Sequence, residues 1–142
     1  MWKVTFMYNY DIYDKGLTSL PNDIPKYVGG NFDCDKNKLT SLQGAPKYVG
    51  GGFYCNDNEL TSLQYAPKYV GDNFWCYYNK LTSLQYAPKY VYGNFSCQYN
   101  KLTSLQYAPK YVGGNFWCYN NTKKFTEEEV RAVCDVKGYI YV

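Results

Sequence analysis

Six cysteines, no histidine, and a lysine recurring at one place in every copy of a repeated unit are the residues of this chain with chemistry to offer. Cys34, Cys55, Cys76, Cys97 and Cys118 fall 21 residues apart. Zinc sites want close ligand pairs and often histidine, and no two cysteines here stand two to four residues apart, so neither a metal nor any other cofactor is expected. Secreted disulfide scaffolds space their cysteines irregularly, whereas these five occupy one structural column. Parallel strands about 4.8 Å apart bring such thiols near one another but point them the same way, and a bond would require rotation. Free, buried thiols acting as small apolar fillers are the expectation.

Catalysis finds no other support. Without histidine a serine or cysteine nucleophile needs a lysine or carboxylate base, and Ser41, Ser62, Ser83 and Ser104 recur as framework positions in a turn. The pairs Gly29-Gly30, Gly50-Gly51 and Gly113-Gly114 repeat where a coil bends, and none opens a helix as a phosphate-binding loop does. The chain is expected not to be an enzyme.

The elements that position these residues follow from the period. Phe32, Phe53, Phe74, Phe95 and Phe116 keep phase with the cysteines, as do Val28, Val49, Val70, Val91 and Val112, and Asn37, Asn58, Asn79, Asn100 and Asn121. A unit of 21 residues cannot bury its own apolar side, so copies must stack into a solenoid with capped ends. Within a copy, Phe74 and Cys76 share one side of a short parallel strand, leaving Asn73, Trp75 and Tyr77 on the other. The Asn column is expected to turn its amides onto unpaired backbone groups at the bend. The return path from Leu81 to Tyr90 carries Pro88 and has no room for a long helix, so the outer side is expected to be non-helical.

The step Phe-x-Cys-x-x-Asn-x-Leu, as in Phe74, Cys76, Asn79 and Leu81, resembles the Leu-x-Leu-x-x-Asn-x-Leu core of the leucine-rich repeat over residues 17–123. The first copy, Leu17-Thr18-Ser19-Leu20-Pro21 before Ile24-Pro25, is similar to the short bacterial form found in effectors of pathogens. The wording Leu-Thr-Ser-Leu-x-x-Ala-Pro-Lys-x-Val-Gly-Gly-x-Phe-x-Cys is also similar to small repeat proteins of tailed bacteriophages. Three departures stand out: the valine lies one place early, Gln43, Gln64, Gln85 and Gln106 replace proline, and Lys123 stands where a sixth leucine is due. The resemblance implies a leucine-rich-repeat-like solenoid with one parallel strand per 21-residue coil.

Caps are expected at both ends of a single domain, residues 1–142, divided into an N-terminal cap (1–16), about five repeats (17–123) and a C-terminal cap (124–142). Trp2, Val4 and Phe6 alternate as a covering strand does, with Asn9 to Gly16 as a link. Thr126 and Glu129 form a capping box, and Val130, Val133 and Cys134 have the spacing of a short amphipathic helix before Lys137-Gly138 turns into a last strand. No basic stretch precedes an apolar run at the start, and no segment approaches the roughly 18 apolar residues of a membrane span. A protein of the cytoplasm, without membrane association, is the expectation.

Two surfaces remain. Opposite the Phe and Cys columns the residues change from copy to copy: Asp33 and Asp35, Tyr54 and Asn56, Trp75 and Tyr77, Ser96 and Gln98, Trp117 and Tyr119. On the inner, concave sheet of a solenoid such aromatics read as anchors for a partner, since a structural role repeats and these do not. On the outer wall, Lys26, Lys47, Lys68, Lys89 and Lys110 run beside Tyr27, Tyr48, Tyr69, Tyr90 and Tyr111, with Tyr65, Tyr86 and Tyr107 nearby. That pattern could track single-stranded nucleic acid. A net charge of only +3, with twelve carboxylates, argues instead for a solvated wall of lysine stems on tyrosine rings. The expected function is a non-catalytic protein-interaction module, and the phage resemblance implies a host protein, such as a defence protein, as the target it inhibits. A glycan- or nucleic-acid-binding solenoid is the alternative.

Overall fold

The computed structural model describes residues 8–142, and the expected covering strand of Trp2, Val4 and Phe6 lies outside them. The chain winds as a parallel β-solenoid of 21-residue coils, about six turns long, closed by one short helix and a final strand. The parallel strand of successive coils is β1 (Tyr10–Asp11), β3 (Phe32–Asp33), β5 (Phe53–Tyr54), β7 (Phe74–Trp75), β9 (Phe95–Ser96), β11 (Phe116–Trp117) and β13 (Ile140–Tyr141), which form a seven-stranded sheet in that order. A second ladder joins the Tyr-Val steps: β2 (Tyr27–Val28), β4 (Tyr48–Val49), β6 (Tyr69–Val70), β8 (Tyr90–Val91), β10 (Tyr111–Val112) and β12 (Asp135–Val136) make a six-stranded parallel sheet.

Register follows the repeat, with Phe32 opposite Phe53, Phe53 opposite Phe74 and Phe74 opposite Phe95. The Phe rings are fully buried and stack along the axis, with centroids 5.4 Å apart for Phe32–Phe53 and for Phe53–Phe74. The Cys, Val and Leu columns fill the rest of one continuous core. All six cysteines are buried and unbonded to one another. The thiols of Cys34, Cys76 and Cys97 donate to the carbonyls of Tyr54, Ser96 and Trp117 in the next coil at 3.3, 3.4 and 3.4 Å. Burial pushes the Cys118 and Cys134 thiols up to about 12, so neither is a ready nucleophile.

The Asn column does what a bend requires. The Asn58 amide donates to the carbonyls of Cys34, Cys55 and Asn56, while its Oδ1 accepts the Leu39 N–H at 3.0 Å. Asn79 and Asn100 repeat the pattern, so each coil's corner is satisfied from the side chain of its neighbour. A second amide column, absent from the sequence-based expectation, runs through Asn9, Asn31, Asn73, Asn94 and Asn115; Asn31 Oδ1 accepts the Gly52 N–H and Asn94 Oδ1 the Asn115 N–H. It explains a recurring glycine: a Cβ at Gly51, Gly114 or Gly138 would run into Oδ1 of Asn31, Asn94 or Asn115.

Two expectations at the ends change. Asn9 to Gly16 is no link, because Tyr10 stacks on Phe32 at 5.6 Å and Ile12 N–H bonds to Asp33 O, so the segment is a coil in its own right. At the other end α1 (Glu127–Val133) has the expected capping box of Thr126 and Glu129 and buries Val130, but Val133 is exposed. Seven residues make barely two turns, and one row, Val130 and Cys134, suffices to cover the last coil.

Candidate functional site

The outward face of the seven-stranded sheet carries the varying pairs. In register along it stand Asp11, Asp33, Tyr54, Trp75, Ser96, Trp117 and Tyr141. The rings join into a continuous chain: Tyr54–Trp75 at 4.7 Å, Trp75–Tyr77 at 6.0 Å, Tyr77–Tyr78 at 5.8 Å, Tyr78–Tyr99 at 4.2 Å and Tyr99–Tyr119 at 5.5 Å. Trp117 stacks on Tyr141 at 5.2 Å. Asp33, Tyr54, Trp75, Tyr77, Gln98, Trp117 and Tyr119 are half-buried, a consequence of this packing, and do not stand free in solvent.

Asp35, Asn56 and Ser96 correct the expectation of an open face, for all three are buried. Asp35 Oδ1 accepts the Asn56 N–H at 2.9 Å, and Asn56 in turn donates from its amide to Asp57. Ser96 is the small residue in register between two tryptophans. Burial first, and then the charge of Asp33, push the Asp35 carboxyl up to about 8. Asp33 moves in the same direction, chiefly through burial. The first coils therefore give this face an acidic, poorly hydrated end and the later coils an aromatic one.

Three buried polar atoms on the face have no partner among the described residues: Asn56 Oδ1, Trp75 Nε1 and Gln98 Oε1. Tyr78, Tyr99 and Tyr141 belong to the same surface and were not among the expected residues. Tyr78 and Tyr99 directly precede ladder asparagines, at a position that reads Lys36, Asp57, Tyr78, Tyr99 and Asn120 and is held at φ near +50°, from 49 to 54. That column varies as strongly as the expected pairs, which is the signal that would have found it.

The opposite wall is built differently. The serine hydroxyls are engaged in the turns, with Ser62 Oγ accepting the Gln64 N–H at 3.0 Å. Ala45, Ala66 and Ala87 N–H groups close turns onto Leu42, Leu63 and Leu84. Beside them a groove of about 950 Å³ is floored by Ile24, Ala45, Ala66, Ala87 and Pro88 and edged by Lys26, Lys47, Lys68 and Lys89, with Tyr65, Tyr86 and Tyr90 along it. Part of the expected lysine and tyrosine wall does pack on itself, since Tyr27, Tyr48 and Tyr69 stack at 4.5 Å intervals. Among the described residues no cluster of three or more His, Cys, Asp or Glu is placed to hold a metal ion, and no helix is long and apolar enough to cross a membrane.

No protein-family model, no curated protein and no solved structure matches the chain.

Proposed function

We propose that this solenoid is a non-catalytic binding protein that takes a partner protein across the outward face of the seven-stranded sheet. The observation that carries the reading is the contrast between two sets of polar side chains. The ladder asparagines, which repeat in every coil, have their amides satisfied. The orphaned atoms, on Asn56, Trp75 and Gln98, all belong to residues that change between coils. A buried polar group without a partner costs about 1–3 kcal/mol, a cost that a partner's donors and acceptors offset after small side-chain rotations. Trp75, Trp117, Tyr54, Tyr77 and Tyr119 supply the pre-packed aromatic area typical of interface anchors. Asp33 sets the charge at one end beside Asp35, whose carboxyl, held up at about 8, is mostly protonated at neutral pH. The resemblance to phage-encoded repeat proteins supports a host protein as partner, with obstruction of its surface as the mode of inhibition. The unbonded thiols support a reducing compartment such as the host cytoplasm.

The test is capture and measurement with matched variants. A partner retained by the wild-type chain and by Lys89→Ala, and lost from Trp75→Ala and Trp117→Ala, is the expected result. A partner retained by both tryptophan variants and lost from Lys89→Ala would move the function to the other wall.

A further inference from the structure

We propose that the groove on the non-helical wall is a second binding site, independent of the sheet face, and that its ligand is single-stranded nucleic acid. The first observation is a backbone cost accepted three times. In the turn Leu42-Gln43-Gly44-Ala45 the third residue lies at φ +91, the left-handed region of a type II turn, where glycine is at ease. The next three coils hold the same turn with Tyr65, Tyr86 and Tyr107 at φ 71, 72 and 68. A bulky residue there costs on the order of 1 kcal/mol or more, and Gly44 shows that the fold does not require it. Each of the three tyrosines is more than half exposed, with Tyr86 at 53%, and none is stacked on another ring among the described residues. At Tyr65 and Tyr86 the strain holds a flat, unpaired ring in the lining of the groove, a purpose the fold itself does not supply.

The second observation is charge. Lys26, Lys47, Lys68 and Lys89 edge the groove one coil apart, and no carboxylate lines it. None of these lysines enters an ion pair among the described residues, where the pairs are formed by Lys80, Lys123, Arg131 and Lys137. The small net charge of +3 hides a local excess: the lysine row edges a groove that no carboxylate lines, while Asp11 and Asp33 lie on the sheet face. A row of cations at strand spacing, beside open aromatic rings over an apolar floor, matches a polymer that alternates phosphates with flat bases. An acidic peptide would use the lysines and leave the strained rings without a role.

The experiment is fluorescence anisotropy of a labelled oligothymidylate of about 12 nucleotides with the full chain, from low salt upward. Four engaged phosphates give log K against log salt a slope of roughly −3, and Lys47→Ala with Lys68→Ala together reduces it by about 1.4. Tyr86→Gly is the decisive variant, because it relieves the backbone and removes the ring. It is expected to keep or raise the thermal midpoint while weakening oligonucleotide binding at least about fivefold. The absence of binding at low salt overturns the proposal. So does binding that Tyr86→Gly leaves intact, or that polyglutamate of equal charge matches, since either would leave only a generic cationic wall.

Discussion

The two surfaces of this solenoid are opposites in how they use the repeat. On the sheet face the side chains vary, even at the left-handed position that holds Tyr78 and Tyr99, so that each coil presents something different: an aspartate pair, then Tyr54 and Asn56, then Trp75 and Tyr77. On the groove wall the side chains recur and the backbone absorbs the cost, with tyrosine held in a left-handed turn in three coils. Variation suits recognition of one irregular surface, such as a folded protein. Repetition suits a ligand that itself repeats.

The largest effect should come from the core that both surfaces share. Phe74→Ala removes a fully buried ring stacked between Phe53 and Phe95 and should cost about 3–5 kcal/mol in urea denaturation. Binding at the two surfaces should fall together. If Phe74→Ala left stability unchanged, the burial of the Phe column would be refuted. Trp75→Ala should separate the surfaces. It should weaken the partner protein by about 2 kcal/mol or more while leaving oligonucleotide binding unchanged. Because Trp75 is half-buried against Tyr54 and Tyr77, it should also lose some stability, though less than Phe74→Ala.

The acidic end of the sheet face gives a pH signature. The Asp35 carboxyl is held up at about 8, above its ordinary value of 3.8, by burial and by Asp33. The folded state therefore keeps this proton where the unfolded chain has released it. From this group, stability is greatest below about pH 4 and falls as pH rises toward 8. Asp35→Asn should flatten the thermal midpoint over that window, and a partner presenting a cation to Asp35 should lower the carboxyl's titration. A midpoint whose pH dependence is the same in Asp35→Asn would remove Asp35 as its cause. The smallest expected effect is chemical: with all six thiols buried, alkylation should be slow on the native chain and reach six groups only after denaturation.

The period made most of this architecture legible. Phe, Cys, Val and Asn return every 21 residues, and columns that must stack can be read without knowing the backbone. The second ladder was not legible, because its step has one buried residue, as Val49 in Tyr48–Val49, where Phe74 and Cys76 show a strand's alternation. The coil around Tyr10 and Ile12 was hidden because these residues replace Phe and Cys, so the first copy does not spell the repeat. The varying face could be found by comparing copies, whereas its buried members, Asp35, Asn56 and Ser96, could not. Their exposure depends on how large neighbours such as Trp75 and Trp117 lie across the sheet. The groove escaped for a different reason: its floor is made by the small side chains of Ala45, Ala66 and Ala87, and what creates it is volume that is missing.

The separation of the two surfaces is tested most directly by titrating the captured partner protein, by calorimetry, into wild-type chain, Trp75→Ala and Tyr86→Gly side by side. Binding should fall at least about 30-fold for Trp75→Ala, which corresponds to about 2 kcal/mol, and should be unchanged for Tyr86→Gly. Unchanged binding with Trp75→Ala together with loss in Tyr86→Gly would contradict the account and make the groove wall the protein-binding surface.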